Sequence, residues 1–304
     1  MDEDQRGARR RHRALQPGDQ ALVVPARSDG EWRLALPVAA FFALFFVAPL
    51  GVLFVVSLFA EPTMQTLALR QYTRFLGDRL HLGILVDTLV LGVKATLVCL
   101  LLGYPLAWVI ARARPRVQSL LVFVVILPLL TSVVVRTFAW IVILGRQGIL
   151  NKTLLAVGLI DEPVRLLFTE PGVVMVLAQV QLPLMILPLL TTFQRIDPNL
   201  ADASAALGAG QWRTFARVIA PLSLPGVAAG CVLVYAACVT AFVTQTLIGG
   251  ARLVWVPLFM YQQATGANDW PFAAAISIVF MFAVLFVVVL INAAGRGRRA
   301  LVHG

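Results

Sequence analysis

The sequence predicts an all-α membrane protein of six transmembrane helices, and three observations carry that prediction. Of 304 residues, 60% are hydrophobic and 13% charged, whereas an average soluble chain has roughly a quarter of its residues charged. The few charges are gathered into short segments, which leaves several apolar runs of the about 20 residues needed to cross a bilayer. Lys and Arg number 25 against 15 Asp and Glu, a net charge of +10. On a membrane chain that excess reflects topology rather than nucleic-acid binding. A soluble α/β enzyme, a coiled coil and a disordered chain are excluded.

The spans are justified in order by their apolar runs. They cover residues 34–59, 82–111, 120–144, 172–193, 225–248 and 272–293. Six spans place both termini on one side. Segments 1–33, 112–118, 194–224 and 294–304 hold 16 basic residues, against 7 in segments 60–81, 145–171 and 249–271. Lys and Arg concentrate in cytoplasmic loops, so both termini are expected in the cytoplasm.

Four parts follow from this organisation. Residues 1–33, with Arg9, Arg10, Arg11 and Arg13, are expected to form a disordered basic cytoplasmic segment. Residues 34–60 hold the first transmembrane helix, residues 80–293 a core of five further helices, and residues 294–304 a basic cytoplasmic tail. The run from Leu34 starts too late and runs too long for a signal peptide.

Chemistry-bearing motifs are scarce. Cys99, Cys231 and Cys238 lie in apolar runs, where thiols behave as small hydrophobes. His12, His81 and His303 are scattered singly and build no metal cluster. The sequence contains no GxxxxGK[ST] phosphate loop, no HExxH and no GxSxG, so neither a nucleotide site of that kind nor catalysis is expected.

The informative segment is loop 194–224. Asp197-Pro198 reads as a helix start, a capping carboxylate followed by a proline whose missing N–H costs nothing in the first turn. An Ala-rich helix over 199–207 follows, stopped by Gly208 and Gly210. A second short helix is expected over 211–220, with Trp212, Phe215 and Ile219 on one stripe and Arg213 and Arg217 on another. Pro221 and Pro225 are expected to end it. The small residues Ala203, Ser204, Ala205, Ala206 and Gly208 would let another protein approach closely. A connector folding back on its own bundle is the alternative.

The pattern Asp202-Ala203-Ser204-x-x-x-Gly208, followed by Pro221 and Pro225-Gly226, resembles the EAA loop of ABC-type importer permeases. Asp202 stands at the family's Glu and Ser204 at its second Ala. Ala220 replaces the Leu before the proline. A second block narrows the resemblance: Leu127-Pro128-x-x-Thr131-Ser132, Arg136-Thr137-x-Ala139-Trp140 and Gly145-x-x-Gly148-x-x-Asn151. With Gly103-Tyr104-Pro105, Ile248-Gly249-Gly250 and Asp269-Trp270-Pro271 it is similar to spermidine/putrescine-type permeases.

The resemblance implies the type I importer permease fold in a bacterial cytoplasmic (inner) membrane. It implies a periplasmic substrate-binding protein, a second permease subunit and an ATPase dimer as partners. ATP would be bound by that ATPase, with no cofactor in this chain and no nucleic acid. The first loop helix, around Asp202, Ala203, Ser204 and Gly208, would dock on the ATPase. The substrate implied is a polyamine. Another amine, an amino-acid conjugate, a phosphonate or an anion stays open, as does a scaffold or sensor subunit without transport.

Ionisable groups within spans are functional candidates because charge in hydrocarbon is costly. Arg136 could orient a gate or serve a structural pair. Asp87 and Lys94 share a face of the second span, but seven residues at 1.5 Å each separate them by about 10 Å, too far for a short direct pair. Gln179, Gln181, Thr240, Thr244 and Gln245 either line a pathway or hydrogen-bond helix to helix. Pro128, Pro183 and Pro188 interrupt helical regularity inside spans.

Overall fold

The computed structural model describes residues 31–197 and 199–297. Six of its helices are long and apolar enough to cross a membrane. They are α1 (Leu36–Ser57), α3 (Arg79–Arg112), the broken pair α5 and α6 (Val133–Leu144 and Ile149–Ala156), α7 (Glu170–Gln194), α9 (Gln211–Val239) and α12 (Trp270–Gly297). Shorter helices stand between them: α2 (Arg70–Gly77), α4 (Pro115–Ile126), α8 (Asn199–Ala206), α10 (Phe242–Gly249) and α11 (Val256–Tyr261). Residues 1–30 of the expected basic segment and most of the tail lie outside the described residues, while residues 31–33, expected to be disordered, are helical.

The chain divides into two compact units, Met1–Val52 and Leu53–Gly304. In the first, α1 exposes its side chains throughout residues 36–52 and widens into a π turn at Ala43–Val47. In the second, α3, α7 and α9 pack side by side around Cys99, Val176, Met185, Leu189 and Val234. Small residues let these helices approach closely. A Cβ at Gly103 of α3 would stand 2.9 Å from Met185 Cγ, and one at Gly230 of α9 2.7 Å from Met185 Sδ. A second cluster joins α2, α3, α11 and α12 through Phe75, Leu85, Phe259, Phe272 and Ile276. There Arg74 pairs with Asp269 at 2.8 Å, and Thr88 Oγ1 accepts the N–H of Val256 at 2.9 Å.

Two spans differ from their expected course. The third is broken where residues 120–144 read as one apolar run. Helix α4 tightens into a 3₁₀ stretch at Leu127–Leu130 and the chain extends through Thr131 and Ser132 before α5 begins. Pro128 cannot donate to a helical ladder, and both the N–H and the hydroxyl of Thr131 turn back to its carbonyl. The fifth span starts earlier and stops earlier than 225–248: α9 runs from Gln211 to Val239 and breaks at Thr240–Ala241. Beyond the break, α10 and α11 form a pair bent by 85°. Gly250, at φ +68°, makes the turn between them.

Pro183 and Pro188 behave differently from Pro128, since α7 runs unbroken through both. The Gly145–Asn151 block forms a locked turn. Asn151, buried, donates to the carbonyls of Gly145 and Val164 and accepts from the N–H of Val164.

Candidate coupling site

Loop 194–224 is built from local signals. Asp197 Oδ1 accepts the N–H of Asn199 at 2.9 Å and starts α8. Pro198 lies outside the described residues. Asp202 falls in the first turn of α8, where a carboxylate interacts favourably with the helix N-terminus, and it is exposed. The helix ends in a Schellman motif. Gly208 donates to the Ala205 carbonyl at 2.9 Å and Ala209 to that of Ser204 at 3.1 Å. This arrangement requires the left-handed backbone of Gly208, whose φ is +77°.

Helix α9 then begins after Gly210, and here the expected short second helix is corrected. Residues 211–220 do not end at Pro221 but continue into the span. Pro221 removes the N–H that would bond the carbonyl of Arg217, and the helix passes this point by widening into a π turn over Phe215–Ile219. Pro225 likewise lies inside the helix. The stripe is divided: Ile219 is buried, Phe215 half-buried, and Trp212 exposed at 79%. Arg213 and Arg217 are exposed. Ser204 and Thr214 hydroxyls meet at 2.9 Å and join α8 to the first turn of α9.

Leu207, 90% exposed, and Trp212 project from a polar loop.

The other candidates are dispersed. Lys94 forms an ion pair with Glu170 in the first turn of α7, a partner that sequence spacing did not reveal, while Asp87 is exposed. Arg136 Nη2 donates to the Thr131 carbonyl at 3.3 Å, so the guanidinium bridges the break before α5. Gln179 accepts from Trp140 Nε1 at 3.0 Å, and Gln181 is half-buried. Thr240 is exposed and bonds within its own helix. Thr244, buried, meets Thr137 at 3.4 Å. Gln245, also buried, donates to the Cys238 and Val239 carbonyls at the broken end of α9. Thr244 and Gln245 therefore make contacts within the helical packing.

Sequence reasoning named Tyr104 and Phe215 within motifs but missed their grouping behind the loop with Trp108 of α3 and Phe193 of α7, where the four rings meet edge to face. Their signal was the four-residue spacing of Tyr104 and Trp108, which puts both on one helix face.

Six apolar spans with a short exposed helix between the fourth and fifth define a polytopic helical membrane protein. Two solved structures share the fold. A bacterial ABC transporter involved in import of the acidic polysaccharide alginate matches with TM-score 0.70 at 18% identity, covering 87% of this chain and 94% of that one. A bacterial alginate ABC transporter in complex with alginate pentasaccharide-bound periplasmic protein matches with TM-score 0.68 at 17% identity, over 87% of this chain and 93% of that one. Residues 100–299 match the binding-protein-dependent transport system inner membrane component family, and the chain belongs to it. The spermidine/putrescine transport system permease protein PotB of Escherichia coli (strain K12) is 39% identical over 210 residues, 69% of this chain and 76% of that protein. The chain is thus an ABC importer permease of the bacterial inner membrane, and not an enzyme.

Proposed function

We propose that this permease carries a polyamine such as putrescine or spermidine, delivered by a periplasmic binding protein and driven by a separate ATPase dimer that holds the ATP. The observation that carries the substrate is the 39% identity with the PotB protein over 210 residues. A second permease subunit completes the pathway. Loop 194–224 and both termini face the cytoplasm, in keeping with the basic residues of segments 1–33, 112–118, 194–224 and 294–304.

In this reading α8 seats on the ATPase through Asp202, Ala203, Ser204 and the exposed Leu207, with Gly208 ending the helix. ATP closes the ATPase dimer, α8 is drawn with it, and the spans reorient between inward- and outward-facing states. Pro221 and Pro225 lie where that movement enters α9. The fold itself does not choose the solute, since it is shared with an importer of an acidic polysaccharide. Transport of another solute is the second reading.

The test is uptake of labelled putrescine and spermidine in a strain lacking its own polyamine importers, with the complete operon supplied. ATP-dependent uptake, competed by either unlabelled polyamine, is expected. Uptake of neither, from a transporter whose binding protein instead retains an anionic solute, would replace the polyamine reading with the second one.

A further inference from the structure

We propose that four aromatic rings behind α8 form a transmission joint, with Trp108 and Tyr104 as positioning residues that deliver movement of α8 to α3 and α7. The inference rests on the permease reading above and deepens it by naming how the loop is wired to the spans.

Helix α8 stands off the bundle. Cavities of about 710 Å³ and 420 Å³ lie beside it, and Trp108, Arg112 and Asp202 line both. That space allows α8 to tilt without collision. Its polar tie is the contact of Ser204 Oγ with Thr214 Oγ1 at 2.9 Å, in the first turn of α9. Thr214 is buried, and Phe215 follows it directly at the start of the π turn. Movement of α8 therefore reaches Phe215 first.

Phe215 cannot move alone. Its ring lies 5.9 Å from that of Tyr104 at 89° and 6.1 Å from that of Trp108 at 80°. Across the box, Phe193 lies 5.2 Å from Tyr104 at 88° and 5.2 Å from Trp108 at 76°. Each pair is edge to face, a directional arrangement that resists sliding. Three spans thus share one set of rings: α3 supplies Tyr104 and Trp108, α7 supplies Phe193, and α9 supplies Phe215. The Arg112 guanidinium covers Trp108 at 3.7 Å on the cavity side. Further along α9, Ser223 meets Tyr104 Oη at 2.9 Å and binds the same α3 segment a second time. Because α3 and α7 pack along each other, displacement at Tyr104, Trp108 and Phe193 travels into the spans.

The test uses the complete transporter, with its ATPase and binding protein, reconstituted in vesicles, and reads solute imported per ATP hydrolysed. Trp108→Leu should lower that ratio about tenfold, inside the range by which residues on a coupling path modulate coupling. Phe193→Leu, which removes the same edges from another span, should do likewise, and Trp108→Phe should restore most of the ratio. A merely structural role would reduce the amount of assembled complex and leave import per ATP unchanged. That outcome for both leucine variants overturns the joint. A wild-type chain that neither retains an ATPase nor imports solute would fail the permease reading itself, a result separable from any effect of the variants.

Discussion

Lys94 of α3 and Glu170 of α7 form an ion pair at the mouth of a groove between their spans, lined by Val98, Leu102, Val174 and Met175. Their side chains are 49% and 42% exposed. Lys94→Met leaves the Glu170 carboxylate without its counter-charge beside apolar walls. The single variant should lose about 1 kcal/mol, a value kept small because half-exposed pairs contribute little. Lys94→Met with Glu170→Gln should recover most of that loss in a detergent melting curve. A double variant that loses as much as the two single variants added together would show that the charges are not coupled.

Gly208 is the residue on which the shape of loop 194–224 turns. A Cβ there would meet nothing within 4 Å, so a substitution acts through the backbone alone. Its φ of +77° disfavours Val by about 1–2 kcal/mol, while Asn tolerates the left-handed region. Gly208→Val should remain inserted and lose transport, whereas Gly208→Asn should retain it. Solute uptake at matched membrane levels decides the matter, and normal uptake by Gly208→Val would remove the coupling role of this turn.

Gln245 closes the broken end of α9 by donating to the carbonyls of Cys238 and Val239 at 2.8 and 3.3 Å. Gln245→Leu keeps the volume, leaves the buried Val239 carbonyl without its side-chain donor and leaves the Cys238 carbonyl only backbone partners such as Ala241, at a cost of about 1–3 kcal/mol. A lower melting temperature is expected, with the variant still exported to the membrane.

Met185 is wedged between Gly103 and Gly230 and is fully buried. Met185→Ala should lose about 2 kcal/mol or more through the cavity it opens. Gly230→Leu should be worse, because the backbone oxygen of Met185 stands 3.3 Å from the position a Cβ would take and cannot yield as a flexible side chain would. The amount of folded protein after detergent extraction checks both, and Gly230→Leu should be the scarcer.

The loop shows how much of the site was legible. Asp197 as cap, α8 as a short helix and Gly208 as its stop follow from residues within a few positions of one another, and the structure places each of them so. Pro221 misled for the same local reason. A proline ordinarily ends a helix, yet here a π turn at Phe215–Ile219 carries the chain past it, and Ile219 is buried against the bundle. The ring joint was not legible, because its four members come from three spans and lie up to 111 positions apart in the sequence, from Tyr104 to Phe215.

By itself the sequence determined the helical membrane class, the apolar runs of the spans and the short helix α8 with its stop at Gly208. These rest on hydrophobic segment length and on capping chemistry, which act over a turn or two of chain. Tertiary structure alone decided where the third and fifth spans break, that Lys94 turns to Glu170, and that Gln245 caps a helix end. Those outcomes depend on which carbonyls and charges distant segments bring together. In an apolar interior a polar group takes whichever partner the packing supplies, so the choice belongs to the assembled bundle.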